Sequence, residues 1–172
     1  MCSSDLLARL SGLEPGERLD AVATAFKATY DTVGVYHADP YPGCLEVLDR
    51  LVTAGRRSYI VTNKRRTPAV MIADLLGMQP RLAGLYTLDT LTPPAARKRD
   101  VVAHLLAEHR LTRETVVMVG DSGDDADAAA ANDLGFIAAT YGYGNPLADP
   151  AVRPAAVLDR LAALPDILAR LD

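Results

Sequence analysis

From residue 44 onward, short β-branched runs alternate with amphipathic helical segments, and this alternation constrains the fold more than any other feature. The clearest strand candidates are residues 58–62 and 115–119, another lies at 136–140, and a weaker one lies at 82–88. Strands separated by helices form βαβ units, whose strands run parallel and are covered by helices on both faces. The sequence therefore predicts an α/β fold built on a parallel sheet.

The first 36 residues differ, because only helical spacing is found there. Their apolar side chains recur at intervals that place them on one face of a helix: Leu19, Val22, Ala23, Phe26 and Tyr30. A segment rich in Pro and Gly follows at 37–43 and favours a linker. We therefore predict a helical region at 1–36 and an α/β core at 37–172, in which residues 155–171 form a helical tail.

Composition argues against several classes of function. The 172 residues carry a formal net charge of −4 without a long basic run, which argues against a nucleic-acid partner. Aromatic residues make up 5% of the chain and Trp is absent, so base-stacking platforms are not expected. No apolar run has the length of a membrane span, and no signal peptide is visible. We expect a cytoplasmic protein that binds neither nucleic acid nor membrane.

Polar segments come directly after the two clearest strands. Thr62-Asn63-Lys64 follows the first, and Gly120-Asp121-Ser122-Gly123-Asp124-Asp125 follows the second. Ligands of parallel sheets bind at the carboxyl ends of the strands, so we expect both segments at one edge. Clustered carboxylates repel one another unless a hard cation binds, and Mg²⁺ takes oxygen ligands. The alternative is that these residues cap a helix, where Asp and Ser are favoured.

The same segments resemble the motifs of the haloacid dehalogenase (HAD) superfamily. The run from Gly120 to Asp125 is similar to its fourth motif, and the strand ending at Thr62 is similar to its second. Lys98, at the start of a predicted helix, matches the lysine of the third motif. Pro42-Gly43 and Tyr141-Gly142-Tyr143-Gly144 resemble the phosphoglycolate-phosphatase branch. The resemblance implies a Rossmann-like core with a helical cap, of which residues 1–36 would be the latter part.

The resemblance further implies a Mg²⁺-dependent phosphatase whose substrate is a small phosphorylated metabolite. Thr62 and Lys98 would be catalytic, and together with Asn63 they would bind the phosphoryl group. Asp121 would bind Mg²⁺, with Asp125 beside it as a second ligand or an orienting group. Each residue also has a structural interpretation: Thr is a common strand former, and Lys98 lies in a basic cluster typical of a solvated face.

The family's first motif, an Asp-x-Asp after an apolar strand, has no counterpart that we recognise. Its first Asp attacks phosphorus in the family and forms an aspartyl-phosphate. The only Asp-x-Asp here is Asp125-Ala126-Asp127, within the fourth motif, and Asp89 follows a predicted strand without a second Asp. We therefore assign no nucleophile. The family's central first strand is expected to be missing as well, so that the sequence begins inside the cap, as a truncated form.

A parallel sheet without its central strand leaves unpaired backbone groups, which are costly when buried. The two flanking strands could pair directly, another chain could donate a strand, or the missing part could lie upstream. We therefore expect a homo-oligomer or a strand-donating partner chain. The hydrolase is one of three hypotheses for the function. The second is a non-catalytic HAD-like module that binds phosphate or a protein partner. The third is a structural subunit whose strand edges are covered by self-association.

Overall fold

The computed structural model describes residues 3–171, so that residues 1, 2 and 172, at the ends of the two predicted regions, lie outside it. The described helices are α1 (Ser3–Ser11), α2 (Glu17–Thr32), α3 (Cys44–Thr53), α4 (Arg66–Leu75), α5 (Lys98–Glu108), α6 (Gly123–Ala131) and α7 (Leu164–Leu171). The described strands are β1 (Tyr59–Thr62), β2 (Gly84–Thr87), β3 (Val117–Gly120), β4 (Gly135–Ala139) and β5 (Ala156–Leu158). Helices and strands alternate from α3 to β4, as predicted, whereas β5 follows β4 without a helix between them.

The strands form two separate parallel sheets. β1 pairs with β2, with Thr62 opposite Thr87. β4 pairs with β3 on one side and with β5 on the other, so that Ile137 lies opposite both Val119 and Ala156. The predicted α/β fold with parallel pairing is therefore confirmed. Among residues 3–171, β1 and β3 do not pair with each other, which rules out direct pairing of the two strands in this structure.

β1 and β3 run in the same direction on either side of the gap between the sheets. Asn63, directly after β1, donates a hydrogen bond from Nδ2 to Oδ2 of Asp124, near the end of β3, at 3.0 Å. Ser58 and Val116, which precede the two strands, line the same cleft. The carboxyl ends of the two sheets therefore lie at one edge of the molecule.

The core lies on both faces of β4. Ile137 packs with Val47 and Leu51 of α3 and with Leu168 of α7, while Phe136 faces the other way. Phe136 and Ala138 pack with the alanines of α6 and with Val102 of α5. A strand covered on both faces is expected to be continuously apolar, and residues 136–139 have that pattern.

The prediction of one helical tail at 155–171 is wrong for its first part. Residues Ala156–Leu158 form the strand β5, and only Leu164–Leu171 is α-helical. Leu158 is fully buried in the cluster around Ile137, and the Ala155 amide donates to the Phe136 carbonyl at 2.7 Å. Pairing with the buried strand β4 therefore outweighs the helical preference of this Ala- and Leu-rich segment.

The N-terminal helices α1 and α2 precede the first strand, and α2 is joined to the core by polar contacts. Arg65 donates two hydrogen bonds to the Asp31 carboxylate, at 2.9 and 2.5 Å. Lys64 Nζ donates to the Tyr30 hydroxyl at 2.8 Å. A short 3₁₀ helix at Gly34–His37 spans the predicted boundary, and the division into two domains at 36 and 37 stays a prediction. None of the described helices has both the length and the apolar character needed to cross a membrane.

Candidate functional site

Lys98 and Asp125 form a buried ion pair at the carboxyl edge of the larger sheet. Lys98 is the first residue of α5, and its Nζ lies 2.6 Å from Oδ1 of Asp125, in the first turn of α6. The two side chains are only 12% and 8% exposed. Lys98 therefore contacts the site itself rather than belonging to a solvated basic face.

Asp125 is also a helix cap, which is the structural alternative that the sequence left open. Its Oδ2 accepts hydrogen bonds from the Ser122 amide at 3.1 Å and from the Ser122 hydroxyl at 2.5 Å. Ser122 and Asp125 thus complete a capping box at the start of α6. Because both carboxylate oxygens of Asp125 already have partners, this geometry suits an orienting group for Lys98. A role as a metal ligand stays a prediction.

Asp121 follows β3 directly and is enclosed by a glycine loop. Its Oδ2 accepts a hydrogen bond from the Gly144 amide at 3.1 Å. A methyl group on Gly142 would overlap the Asp121 carboxylate, and one on Gly144 would overlap the Asp121 backbone carbonyl. One on Gly120 would overlap Asp125 in the same way. These glycines therefore permit the close approach that fixes both carboxylates, which explains the Gly-rich segments around them.

Thr62 and Asn63 bring the end of the smaller sheet to the same site. Thr62 Oγ1 accepts a hydrogen bond from the Lys64 amide at 3.2 Å, while Asn63 donates to Asp124. The other amide atom of Asn63, Oδ1, is buried without a hydrogen-bond partner in the described structure. Buried polar atoms are nearly always paired in folded proteins. Asn63 Oδ1 is therefore an acceptor available to a donor that the described residues do not supply.

Two tyrosines beside Asp121 were not among the predicted site residues. The rings of Tyr41 and Tyr141 meet edge to face with centroids 4.8 Å apart. Burial raises the pKa of Tyr141, and Tyr41, Cys44 and Asp121 raise it further. Tyr41 lies in the segment predicted to be a linker. It contacts Tyr141 only because the residues after β4 fold back toward that segment. Tyr141 belongs to the motif Tyr141-Gly142-Tyr143-Gly144 noted in the sequence, but no local signal indicates its contact with Tyr41.

The oxygen donors of the site suit a magnesium ion better than a softer metal. Asp121 is half-buried and Asp124 is exposed, whereas Asp125 is engaged with Lys98 and Ser122. Mg²⁺ is commonly held by one or two carboxylates and keeps several of its waters. Within residues 3–171, no group of three or more His, Cys, Asp or Glu side chains forms a metal cage. The donor set therefore fits a partly hydrated Mg²⁺ at Asp121.

Asp89, which follows β2, has a structural role. Both of its carboxylate oxygens accept the Arg66 amide, at 3.1 Å each, at the start of α4. Burial alone would raise the pKa of Asp89, but hydrogen bonds from Thr87 and from the Arg66 amide outweigh it, so the pKa is lowered. Asp89 therefore caps a helix, and the site still has no assigned nucleophile.

Comparison with known protein families assigns the chain to one of them. The sequence model of the haloacid dehalogenase-like hydrolases matches residues 4–133. The chain belongs to the HAD-like hydrolase family. The resemblance inferred from the second, third and fourth motifs is thereby confirmed.

Curated relatives of this HAD-like hydrolase carry names that involve phosphoryl chemistry. A phosphoglycolate phosphatase of Agrobacterium fabrum is 32% identical over 154 residues, which are 87% of this chain and 64% of the relative. A tyrosine-protein kinase PtkA of Mycobacterium tuberculosis is 32% identical over 129 residues, which are 75% of this chain and 44% of the relative. The chain thus spans about half to two thirds of the length of these relatives.

Solved structures of HAD-like proteins have the same fold as this chain. The HAD-like family protein SP0104 from Streptococcus pneumoniae superposes with a TM-score of 0.81 at 22% identity. The match covers 97% of this chain and 76% of that protein. At this identity the likeness concerns the fold alone, and it shows that nearly all of the chain adopts the HAD architecture.

Proposed function

We propose that this HAD-like hydrolase carries the metal- and phosphate-binding part of a Mg²⁺-dependent phosphatase for small phosphate monoesters. The observation that carries the proposal is the buried Lys98–Asp125 pair next to Asp121, at the carboxyl edge of a parallel sheet. A cation that is held in place beside fixed carboxylates matches the charges of a phosphate and its magnesium ion.

Fixed charge is the main requirement of phosphoryl transfer. Catalysis there consists largely of positioning the phosphoryl group and neutralising its charge. Asp125 holds the Lys98 ammonium group in one position, so little side-chain freedom is lost when a phosphate binds. Thr62 would donate its hydroxyl proton to a phosphoryl oxygen, and Asn63 would orient the loop through its contact with Asp124.

Mg²⁺, when bound, would neutralise charge on the phosphoryl oxygens. Asp121 would hold it, because the carboxylate is anchored by the Gly144 amide and kept in place by the glycine loop. A small phosphorylated metabolite as substrate is supported by the similarity to a relative named phosphoglycolate phosphatase. The PtkA relative has a different name, and both names involve a phosphoryl group.

A second candidate function rests on the missing nucleophile. No strand lies between β1 and β3 in the described part of the chain, and Asp89, the one candidate after another strand, caps α4. A non-catalytic module that binds phosphate would use the same Lys98 and Asp121 without turnover. The two candidates therefore share a binding site and differ only in the chemistry that follows binding.

Phosphate binding tests the shared site. We expect inorganic phosphate, followed by ³¹P NMR, to bind the chain in a Mg²⁺-dependent manner. Asp121→Asn should weaken this binding by about tenfold or more, as is typical when the surroundings of a metal are altered. Asp133→Asn is the matched control, because Asp133 is exposed after α6 and has a positive φ that Asn also adopts. Equal binding by both variants would remove Asp121 from the site.

Hydrolysis of a phosphate ester by the chain alone would exclude the non-catalytic candidate. We expect the folded chain alone to leave p-nitrophenyl phosphate intact in the presence of Mg²⁺, because no carboxylate is assigned to attack phosphorus. Hydrolysis by the chain that is lost in Asp121→Asn and kept in Asp133→Asn would exclude the non-catalytic module. It would also show that the chain supplies every group that hydrolysis requires.

A further inference from the structure

Three of the seven tyrosines of the chain lie beside the Asp121 carboxylate, and we call Tyr41, Tyr141 and Tyr143 the tyrosine group. The rings of Tyr41 and Tyr141 meet edge to face at 4.8 Å. Burial raises the pKa of Tyr41, and the neighbouring Tyr143 and Asp121 raise it further. In a chain that is only 5% aromatic, the proposed magnesium site therefore has an unusual concentration of rings next to it.

The backbone of Tyr143 is fixed against Asp121 by the glycines on either side. The Gly144 amide donates a hydrogen bond to Oδ2 of Asp121 at 3.1 Å. A methyl group on Gly142 or on Gly144 would overlap atoms of Asp121. Both residues adjacent to Tyr143 therefore touch Asp121, and the Tyr143 ring projects from the wall of the proposed magnesium site.

The Tyr143 side chain is not covered by other residues of the described structure. Tyr143 is 101% exposed, and Tyr41 beside it is 39% exposed. An exposed aromatic ring alone does not indicate a site, because apolar atoms form much of any protein surface. Here, however, the backbone is anchored to a candidate ligand-binding residue while the ring stays uncovered. Tyr143 therefore offers an aromatic surface to a molecule that binds at Asp121.

The charges around the tyrosine group favour a neutral ligand over an anionic one. Asp121 acts on both Tyr41 and Tyr141, and no Lys or Arg in the described part of the chain is among the groups that shift the pKa of either tyrosine. Lys98, the cation of the site, is engaged with Asp125. A second anionic group on the ligand would therefore meet the Asp121 carboxylate without a cation to offset the repulsion.

We propose that Tyr143 selects phosphate monoesters whose alcohol part is a neutral aromatic ring, which stacks on the Tyr143 ring while the phosphoryl group lies at Asp121 and Lys98. Tyr41 forms a second wall, and its edge-to-face contact with Tyr141 keeps its ring in place. Aromatic rings attract one another in offset-stacked and edge-to-face arrangements, in addition to the gain from buried area. This inference rests on the proposed phosphate site and names the class of substrate for it.

The dimensions of an aryl phosphate suit this arrangement. A single oxygen atom joins the ring to phosphorus, so the ring stays close to the phosphoryl group. The Cα atom of Tyr143 lies about 3.8 Å from those of Gly142 and Gly144, both of which approach Asp121. A ring on a longer, flexible spacer would lose more conformational freedom on stacking. The direct aryl ester is therefore the ligand that the site should bind best.

Matched esters test the proposal through binding, so that no turnover is required. The probes are phenyl phosphate and methyl phosphate, titrated in the presence of Mg²⁺ and followed by ³¹P NMR. We expect phenyl phosphate to bind about tenfold more tightly, which is typical of one aromatic stacking contact. 4-Carboxyphenyl phosphate should bind no more tightly than phenyl phosphate, because it brings a second anion toward Asp121. Equal affinities for phenyl and methyl phosphate, or tighter binding of the carboxylate, would overturn the proposal.

Three variants assign the preference to one side chain. Tyr143→Ala should reduce the ratio of the two affinities to about one and leave methyl phosphate binding unchanged, since only the ring contact is lost. Tyr143→Phe should keep the ratio, because stacking requires the ring and not the hydroxyl. Tyr36→Ala is the control: it removes a ring that is 63% exposed in the 3₁₀ helix Gly34–His37 and should keep the ratio. A preference that survives Tyr143→Ala, or that Tyr36→Ala removes equally, would contradict the assignment.

Nuclear Overhauser effects locate the bound phenyl ring. We expect them between the phenyl protons and the ring protons of Tyr143. The apolar gap between the two sheets is the competing place for a small aromatic molecule, and Ile60 and Leu105 line it. Effects to Ile60 or Leu105 without effects to Tyr143 would place the ring in that gap and overturn the proposal.

Inorganic phosphate separates a failure of this inference from a failure of the proposed function. If inorganic phosphate binds and the phenyl and methyl esters bind equally, the phosphate site remains and only the role of Tyr143 is removed. If neither inorganic phosphate nor either ester binds in the presence of Mg²⁺, the proposed function and this inference fail together.

Discussion

The neighbouring strands β3 and β4 have similar apolar compositions but very different surroundings. Residues 136–139 of β4 are almost fully inaccessible, whereas all four residues of β3 are half-exposed. β4 has a strand on each side, while β3 has one only on the side of β4. β1 and β2 each have a single strand partner, yet Tyr86 and Thr87 of β2 are buried, whereas all four residues of β1, beside the gap between the sheets, are half-exposed. The elements that cover a strand, rather than its apolar character, therefore decide how much it contributes to stability.

The largest effect is expected from a matched pair of isoleucines. Ile137→Ala in β4 should lower the free energy of unfolding by about 4 kcal/mol, because a fully buried side chain is replaced by a cavity. Ile60→Ala in β1 should cost only about 1–2 kcal/mol, since Ile60 is half-exposed beside the gap between the two sheets. Urea unfolding followed by circular dichroism measures both. Equal losses would mean that the gap between the two sheets is closed in solution.

The second-largest loss of stability is expected from breaking a buried ion pair, for which an exposed ion pair is the control. Lys98→Met should cost about 3 kcal/mol, because it leaves the Asp125 carboxylate buried beside a neutral side chain. Arg50→Met, which removes an exposed pair with Asp166, should cost less than about 1 kcal/mol. The same unfolding assay applies. A small loss for Lys98→Met would show that Lys98 is solvated and does not depend on Asp125.

A smaller effect is expected from the hydrogen bond that joins the two sheets. Asn63→Ala removes the contact with Asp124 and should cost about 1 kcal/mol. Asn145→Ala, in the loop after β4, removes a local hydrogen bond to the Leu147 amide and should change stability by less than about 0.5 kcal/mol. If Asn63→Ala also changes stability this little, the two carboxyl ends are not held together by this bond.

The smallest effect at neutral pH concerns Tyr86, on the well-covered strand β2. Burial, with the Glu108 carboxylate hydrogen-bonded to its hydroxyl, raises the pKa of Tyr86 to about 12. The unfolded chain loses this proton near pH 10. Stability is therefore unaffected below pH 10 and falls as the pH rises from 10 to 12, because the unfolded state ionises first. Tyr86→Phe should remove this part of the alkaline loss, and an unchanged profile would contradict the burial of the hydroxyl.

The sequence predicted the order of helices and strands because each has a strong local pattern. β1 to β4 lie within one or two residues of the predicted runs. β5 was missed because its three residues become a strand only through pairing with β4, which no local pattern records. The pairing of strands is a long-range property, and the gap between β1 and β3 was expected only through the resemblance to a family.

The site residues also fall into two groups: those with a local sequence signal and those that only the fold brings together. Residues adjacent in sequence, such as Gly120 to Asp125, were identified because they follow a strand directly. Lys98 was the weaker prediction on sequence grounds, because its basic neighbours suggested a solvated face. Its partner Asp125 lies 27 residues away, and only the packing of α5 against α6 brings the two together. Tyr41 and Tyr141 are one hundred positions apart, and their contact was not predicted for the same reason.

Hydrogen exchange of the free chain, resolved by residue, tests the central claim that the sheet is open between β1 and β3. We predict that the amides of Ile137 and Ala138 exchange only through global unfolding, whereas the amides of β1 and β3 that face the gap between the sheets exchange at least about a hundredfold faster. Equal protection of β3 and β4 would contradict the account. It would show that the gap between the two sheets is filled or that the sheets close on each other in solution.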